Sequence, residues 1–172
     1  LKEQGGSPVG MATDIVNAFR NIRVHPDHIR LCGYKFEGKF YYDCALPFGG
    51  SANPRNFDLL AQAIHYILEK ALAADDIICD VHHLLDDFGL IAFDIIHAAL
   101  AFAMLESVLK RAGLPMHPQK TASPTQTLTF LGGLFHLDTA TLSMPDSKRL
   151  KLINNIKPLT RNTRITVAHL HH

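Results

Sequence analysis

The sequence predicts an α+β layer fold, a mixed sheet with helices on one face. Short apolar runs of strand-like composition are bracketed by Gly, Asp and Asn, the residues that tight turns favour. Two longer segments instead repeat their apolar residues at three- and four-residue spacing, the period of a helix packed on one side. Along the chain the order is strand, hairpin, helix, acidic hairpin, helix, strand, which suits one sheet carrying its helices together. The 172 residues are 47% hydrophobic and 19% charged, enough apolar material for one globular core.

Residues 11–15 read as a strand and residues 18–22 as a short helical turn. Residues 31–34 and 39–43 read as strands around a Glu37-Gly38 turn, a hairpin. Asn53 can cap a helix with Pro54 at its first position, and Phe57, Leu60, Ala61, Ile64, Ile67, Leu68 and Leu72 then recur on one face. After a hairpin tipped by Asp86 and Asp87, Asp94 caps a second long helix. There Ile96, Ala99, Leu100, Ala103 and Leu109 recur similarly, and Gly113 with Pro115 beyond it ends the run. Residues 128–134 and 141–144 are further strands, and residues 146–156 a basic helix. The apolar stretch from Phe88 to Leu105 is broken by Asp94 and His97, so it reads as strand plus buried helix, and no membrane partner is expected. Cys32, Cys44 and Cys79 are too few and odd in number for a disulfide framework, which suits a reducing intracellular compartment, cytoplasm or nucleus.

Charge is unevenly spread. The net charge is +1, yet between Asn56 and Val108 the acids Asp58, Glu69, Asp75, Asp76, Asp80, Asp86, Asp87, Asp94 and Glu106 face the one base Lys70. Arg20, Arg23, Arg30, Lys35 and Lys39 precede this region, and Lys148, Arg149, Lys151, Lys157, Arg161 and Arg164 follow it. Basic walls beside an acidic centre suit a polyanion held next to a metal site. Adjacent carboxylates repel when ionised, and Mg²⁺ or Mn²⁺, which prefer oxygen ligands, would relieve that repulsion at Asp86 and Asp87. Asp14 ends a strand-like run, so pairing of adjacent strands would set it beside Asp86 and give the paired carboxylates that two-metal phosphoryl transfer needs.

Five segments in order resemble the palm domain of reverse transcriptases. Thr13-Asp14-Ile15-Val16-Asn17-Ala18-Phe19-Arg20 resembles the first catalytic motif, and Leu46-Pro47-Phe48-Gly49-Gly50-Ser51-Ala52-Asn53-Pro54 the nucleotide and template motif. Leu84-Leu85-Asp86-Asp87 resembles the metal-binding hairpin, Gly113-Leu114-Pro115-Met116-His117-Pro118-Gln119-Lys120 the fourth motif, and Thr129-Phe130-Leu131-Gly132-Gly133 the primer-grip hairpin. Asn17 to Ile22 followed by Val24-His25-Pro26 is most similar to retrotransposon enzymes, particularly those of tyrosine-recombinase elements.

The resemblance implies a polymerase palm with a ferredoxin-like mixed or antiparallel sheet. It implies that Asp14, Asp86 and the Ile15 carbonyl bind two Mg²⁺ or Mn²⁺ ions, with Asp87 as an auxiliary acid. Ile15, Phe19, Phe48, Gly49 and Lys120 would bind the nucleotide, Phe19 excluding a ribose 2′-hydroxyl by contact and Lys120 serving the departing pyrophosphate. Phe130, Leu131 and Gly132 would form the primer grip. The partners implied are an RNA or DNA template with primer and deoxynucleoside triphosphates. By the same resemblance residues 1–10 end a truncated fingers segment, 11–145 form the palm with a fingers hairpin inserted at about 25–45, and 146–172 begin a truncated thumb or connection, so fingers and thumb belong to a parent protein. Leu84 stands where the family usually has an aromatic, and Gly50 replaces a commoner larger residue; neither removes a carboxylate. The second reading is a catalytically inactive palm remnant that binds nucleic acid or protein. Cys79, His82 and His83 have zinc-like spacing, but on a strand His82 and His83 face opposite sides.

Overall fold

A computed structural model describes residues 6–160. Its centre is β1 (Val9–Asp14), every residue of which is buried. β4 (Cys79–Leu84), β5 (Asp87–Ala92) and β6 (Ala122–Thr125) complete a four-stranded sheet in the order β4-β5-β1-β6. Each pairing is antiparallel, so of the two forms expected for this α+β sheet, mixed or antiparallel, it takes the antiparallel one. β6 was not legible in the sequence because Pro124 interrupts it; an edge strand tolerates that missing N–H.

Both long helices, α1 (Asn53–Ala74) and α2 (Ile95–Ala112), lie on one face of this sheet and on each other. α1 buries Phe57, Ala61, Ile64, Leu68 and Leu72 as its spacing predicts, while Ile67 stays half exposed. Asn53 does not cap it. Ala52 takes the cap position, and the Asn53 side chain instead donates Nδ2–H to the Pro47 carbonyl at 2.6 Å, anchoring the preceding loop. Asp94 does cap α2, accepting the Ile96 and His97 N–H groups at 2.9 Å each, and Gly113 at φ 72° closes its other end in the left-handed region.

The buried face of α2 is Ala98, Ala101, Leu105 and Leu109 rather than Ile96, Ala99, Leu100 and Ala103; Ile96 is 66% and Leu100 51% exposed. This helix is apolar nearly all round, so its period fixes no unique face. Small Ala98 and Ala101 let its backbone approach the sheet over Met11, Phe88 and Leu90, all fully buried.

Residues 128–134 form two strands instead of one. β7 (Thr127–Phe130) turns through Leu131 and Gly132, both at positive φ, into β8 (Gly133–His136), which pairs with β9 (Thr141–Ser143). This second sheet leans on the helix-free face. There a Cβ on Gly89 would come within 2.8 Å of the Phe130 ring, and one on Gly10 within 2.8 Å of Leu137. Glycine at these two positions therefore sets how closely the sheets approach.

β2 (Gly33–Phe36) and β3 (Lys39–Tyr42) form a separate hairpin exposed at every residue, preceded by a 3₁₀ segment, Pro26–Cys32, where a strand start was expected. A final helix, α3 (Asp146–Thr160), follows β9. Among the described residues no helix is long and apolar enough to cross a membrane.

Candidate active site

The alternation of β1 assigns its side chains to two faces. Met11 faces the helices, whereas Gly10, Ala12 and Asp14 share the opposite side with Gly89 and Asp87, their neighbours across β5. Asp14 is 8% exposed at the strand's end, and its Cα partner is Asp87 rather than Asp86. The tight turn between β4 and β5 consists of Leu85, at φ 53°, and Asp86. Asp86 therefore sits on the turn, where its carbonyl accepts the Ile15 N–H at 3.1 Å. The sequence-based pairing of Asp14 with Asp86 was off by one position because turn length, which sets register, was unknown.

A fourth group arrives from the loop after α2. The Val16 N–H donates to the Pro115 carbonyl and the His117 N–H to the Asp14 carbonyl, each at 2.8 Å, so this loop runs along the end of β1. Thr121 Oγ1 donates to the His117 carbonyl at 2.7 Å and lies 2.8 Å from Thr13 Oγ1. Lys120, held in that loop, places its ammonium on the Asp14 carboxylate as a hydrogen-bonded ion pair.

The charges respond to one another. Partial burial first, then the Asp86 and Asp14 charges, raise the Asp87 carboxyl above its usual value, while Lys120 pulls it down. The hydrogen bond it donates to Asp14, and then that carboxylate's charge, hold the Lys120 ammonium above the ordinary lysine value. Three carboxylates thus share one end of the sheet with one lysine.

Two clefts meet at Asp14 and Lys120. The first, about 280 Å³, is lined by Asp14, Ile15, Phe19, Phe48, Asp86 and Lys120 among others. Asn17, in the left-handed region at φ 51°, starts the 3₁₀ turn that carries Phe19 back against the core. Phe19 meets Phe57 edge-on at 5.8 Å and Phe48 at 5.5 Å, so it is half core residue and half cleft wall. The second cleft, about 490 Å³, is lined by Asp14, Asp87, Lys120, Thr129, Phe130 and Leu131 among others.

Gly49 and Gly132 line neither cleft. Both hold positive φ, 88° and 81°, which accounts for glycine through turn geometry. Residues that sequence reasoning missed are Asn17 and His117 in the first cleft and Gln119, Thr121 and Thr127 in the second. The fourth-motif segment contained His117 and Gln119, but only folding shows that its backbone is stitched to β1. The Cys79, His82 and His83 set does not converge; among the described residues, no three His, Cys, Asp or Glu side chains are grouped to hold a metal ion.

No family model matches the sequence. No curated protein matches it either. Solved structures do. A foamy viral protease-reverse transcriptase in complex with double-stranded DNA aligns at TM-score 0.77 and 18% identity over 94% of this chain. The fold is reverse-transcriptase-like. A second structure of the foamy viral protease-reverse transcriptase, also with double-stranded DNA, gives TM-score 0.72 at 18% identity over 85% of this chain. The foamy viral enzyme with an RNA/DNA hybrid gives 0.70 at 18% identity over 94%. This reverse-transcriptase-like chain covers 25%, 28% and 26% of those three chains respectively, about a quarter of their length.

Proposed function

We propose that this chain is the palm of an RNA-directed DNA polymerase, of retrotransposon type and most similar to the enzymes of tyrosine-recombinase elements. In this reading it adds deoxynucleotides to the 3′-hydroxyl of a primer paired with an RNA or DNA template, and fingers and thumb come from a parent protein. The observation that carries the reading is the convergence of Asp14, Asp86, Asp87 and Lys120 between an aromatic cleft and the β7–β8 hairpin. The foamy viral structures with double-stranded DNA and with RNA/DNA hybrid support a nucleic-acid partner.

The donor set fits Mg²⁺ or Mn²⁺. Asp14 and Asp86 offer only hard carboxylate oxygens, and Lys120 already places a positive charge on Asp14. Mg²⁺ characteristically takes one or two protein carboxylates and completes its shell with water and substrate phosphates, so a closed cluster of three protein ligands is not required. Asp14, Asp86 and the Ile15 carbonyl would hold two ions, which supply a primer oxyanion and a stabilised leaving phosphate when bound.

The chain's own residues supply the rest. Asp87 keeps the site anionic. Phe19, fixed from behind by Phe57, presents an unyielding wall to the sugar and leaves no room for a 2′-hydroxyl. Phe48, 72% exposed, is free to cover the incoming nucleotide, and Gly49 permits the turn that carries it. Lys120 exchanges Asp14 for the departing pyrophosphate and donates a proton or charge to it. Phe130, Leu131 and Gly132 hold the primer end against Asp87.

Primer extension tests this. Oligo(dT) on poly(rA), with Mg²⁺ or Mn²⁺, is to be extended by a longer polypeptide in which this chain is joined to fingers and thumb. Asp86→Asn should abolish extension, a loss of about a thousandfold or more. Equal extension by Asp86→Asn overturns the mechanism. Absence of extension from both, with template-primer still bound, favours the inactive remnant.

A further inference from the structure

Two adjacent glycines in the loop between Leu46 and α1 are there for opposite reasons. Gly49 holds φ 88°, and a Cβ added to it would meet nothing within 4 Å, so backbone conformation alone accounts for glycine there. Gly50 lies outside the positive-φ region, yet a Cβ added to it would sit 2.5 Å from Asn53 Nδ2 and 2.9 Å from Asn53 Cγ. What Gly50 supplies is space, and the Asn53 amide fills it.

That amide is not free to step aside. Asn53 is 8% exposed; its Nδ2–H donates to the Pro47 carbonyl at 2.6 Å and its backbone N–H to the Gly50 carbonyl at 3.1 Å. One residue at the start of α1 thus grips the loop twice. At the loop's other end the buried Leu46 donates its N–H to the Ile22 carbonyl at 3.0 Å. Phe48 stands between these anchors, its ring largely exposed and meeting Phe19 edge-on. So little burial gives the ring a weak hold of its own, and its place follows from the backbone that carries it. The carbonyl that Asn53 grips belongs to the planar peptide unit leading into Phe48, so this one hydrogen bond fixes the plane from which the ring departs.

We propose that Asn53 is a positioning residue for nucleotide binding and that Gly50 is its steric complement. The Asn53 amide locks the Pro47–Phe48 peptide, and so sets the Phe48 ring at the cleft it shares with Asp14, Phe19 and Lys120. The identity of what the ring covers rests on the polymerase reading; the lock itself does not. A side chain at position 50 expels the amide and frees the ring, so either substitution acts through the same hydrogen bond. Gly50, a departure from the family pattern when met in the sequence, is in the fold the partner of Asn53.

The chain contains no tryptophan, so Phe48→Trp places a single fluorophore on the lock. In the full chain, the nanosecond local component of the indole's anisotropy decay should grow about twofold when Asn53→Ala is added, and equally when Gly50→Ala is added. Both together should do no more than either alone, because one hydrogen bond is broken in each case. In the longer polypeptide with fingers and thumb, and with Phe48 intact, Asn53→Ala should raise KM for dTTP about fivefold on poly(rA) with oligo(dT) while kcat stays within about twofold. An indole equally ordered in Asn53→Ala and Gly50→Ala overturns the proposal, as does a loss confined to kcat, and additive effects of the two substitutions overturn the pairing. Gly50→Ala leaves the sequence of α1 untouched, so it decides the matter if Asn53→Ala unsettles the helix. Failure of the parent polypeptide to extend the primer counts against the polymerase reading alone, since the anisotropy needs no substrate.

Discussion

Asp87 carries the electrostatic strain of the site. Its carboxyl is raised in the folded chain, so relative stabilisation is complete below the ordinary carboxylate value and is lost as pH rises through the folded one. Asp87→Asn removes that dependence, and the variant should melt about 2 °C higher than the parent at pH 7, with the difference vanishing near pH 3.5 in thermal scans. Lys120 is the counterpart. If its ammonium and a divalent ion compete for Asp14, Lys120→Met should bind Mn²⁺ about fivefold more tightly by titration, the effect of removing roughly 1 kcal/mol of like-charge repulsion. The acids themselves were legible as sequence motifs. Their pairing was not, because nothing in the residues specified a two-residue turn and hence Asp87 opposite Asp14.

At the scale of elements, α2 shows why periodicity fails on an apolar helix. Its buried face was settled by how closely Ala98 and Ala101 allow the backbone to approach the sheet, a property of packing rather than of pattern. Leu105→Ala should therefore cost about 2–5 kcal/mol in denaturant unfolding, whereas Leu100→Gln should cost less than about 0.5 kcal/mol. The β5 strand makes a second case. Gly89→Ala would drive a methyl into the Phe130 ring and push β7–β8 off the sheet, at about 1–3 kcal/mol, with loss of primer extension exceeding loss of fold. On β4, burial and then Asp80 push the Cys79 thiol up to about 12. Alkylation at pH 8 should accordingly reach exposed Cys44 well before Cys79, as peptide mass mapping would show.

Over the whole molecule, stability is concentrated around β1, β5 and the two helices, where the fully buried side chains gather. The three-stranded sheet touches this core through few buried residues, Leu128 chief among them. Hydrogen exchange should then be slowest in β1 and β5 and faster in β8 and β9. The α+β class and helix placement were readable because they follow from local composition and period. The docking of the second sheet was not, since it depends on two glycines whose role appears only when strands pair. The β2–β3 hairpin has a different outcome for the protein as a substance. Tyr34, Phe36, Phe40, Tyr41 and Tyr42 are 40–77% exposed on a two-stranded ribbon with both long edges open. Rings and unpaired amides presented together are adhesive, and Lys35, whose ammonium lies 5.5 Å over the Phe40 ring, and Lys39 oppose that largely through charge. Added salt weakens this opposition, so the isolated chain should keep best when dilute and at low ionic strength, and cloud first when concentrated in brine.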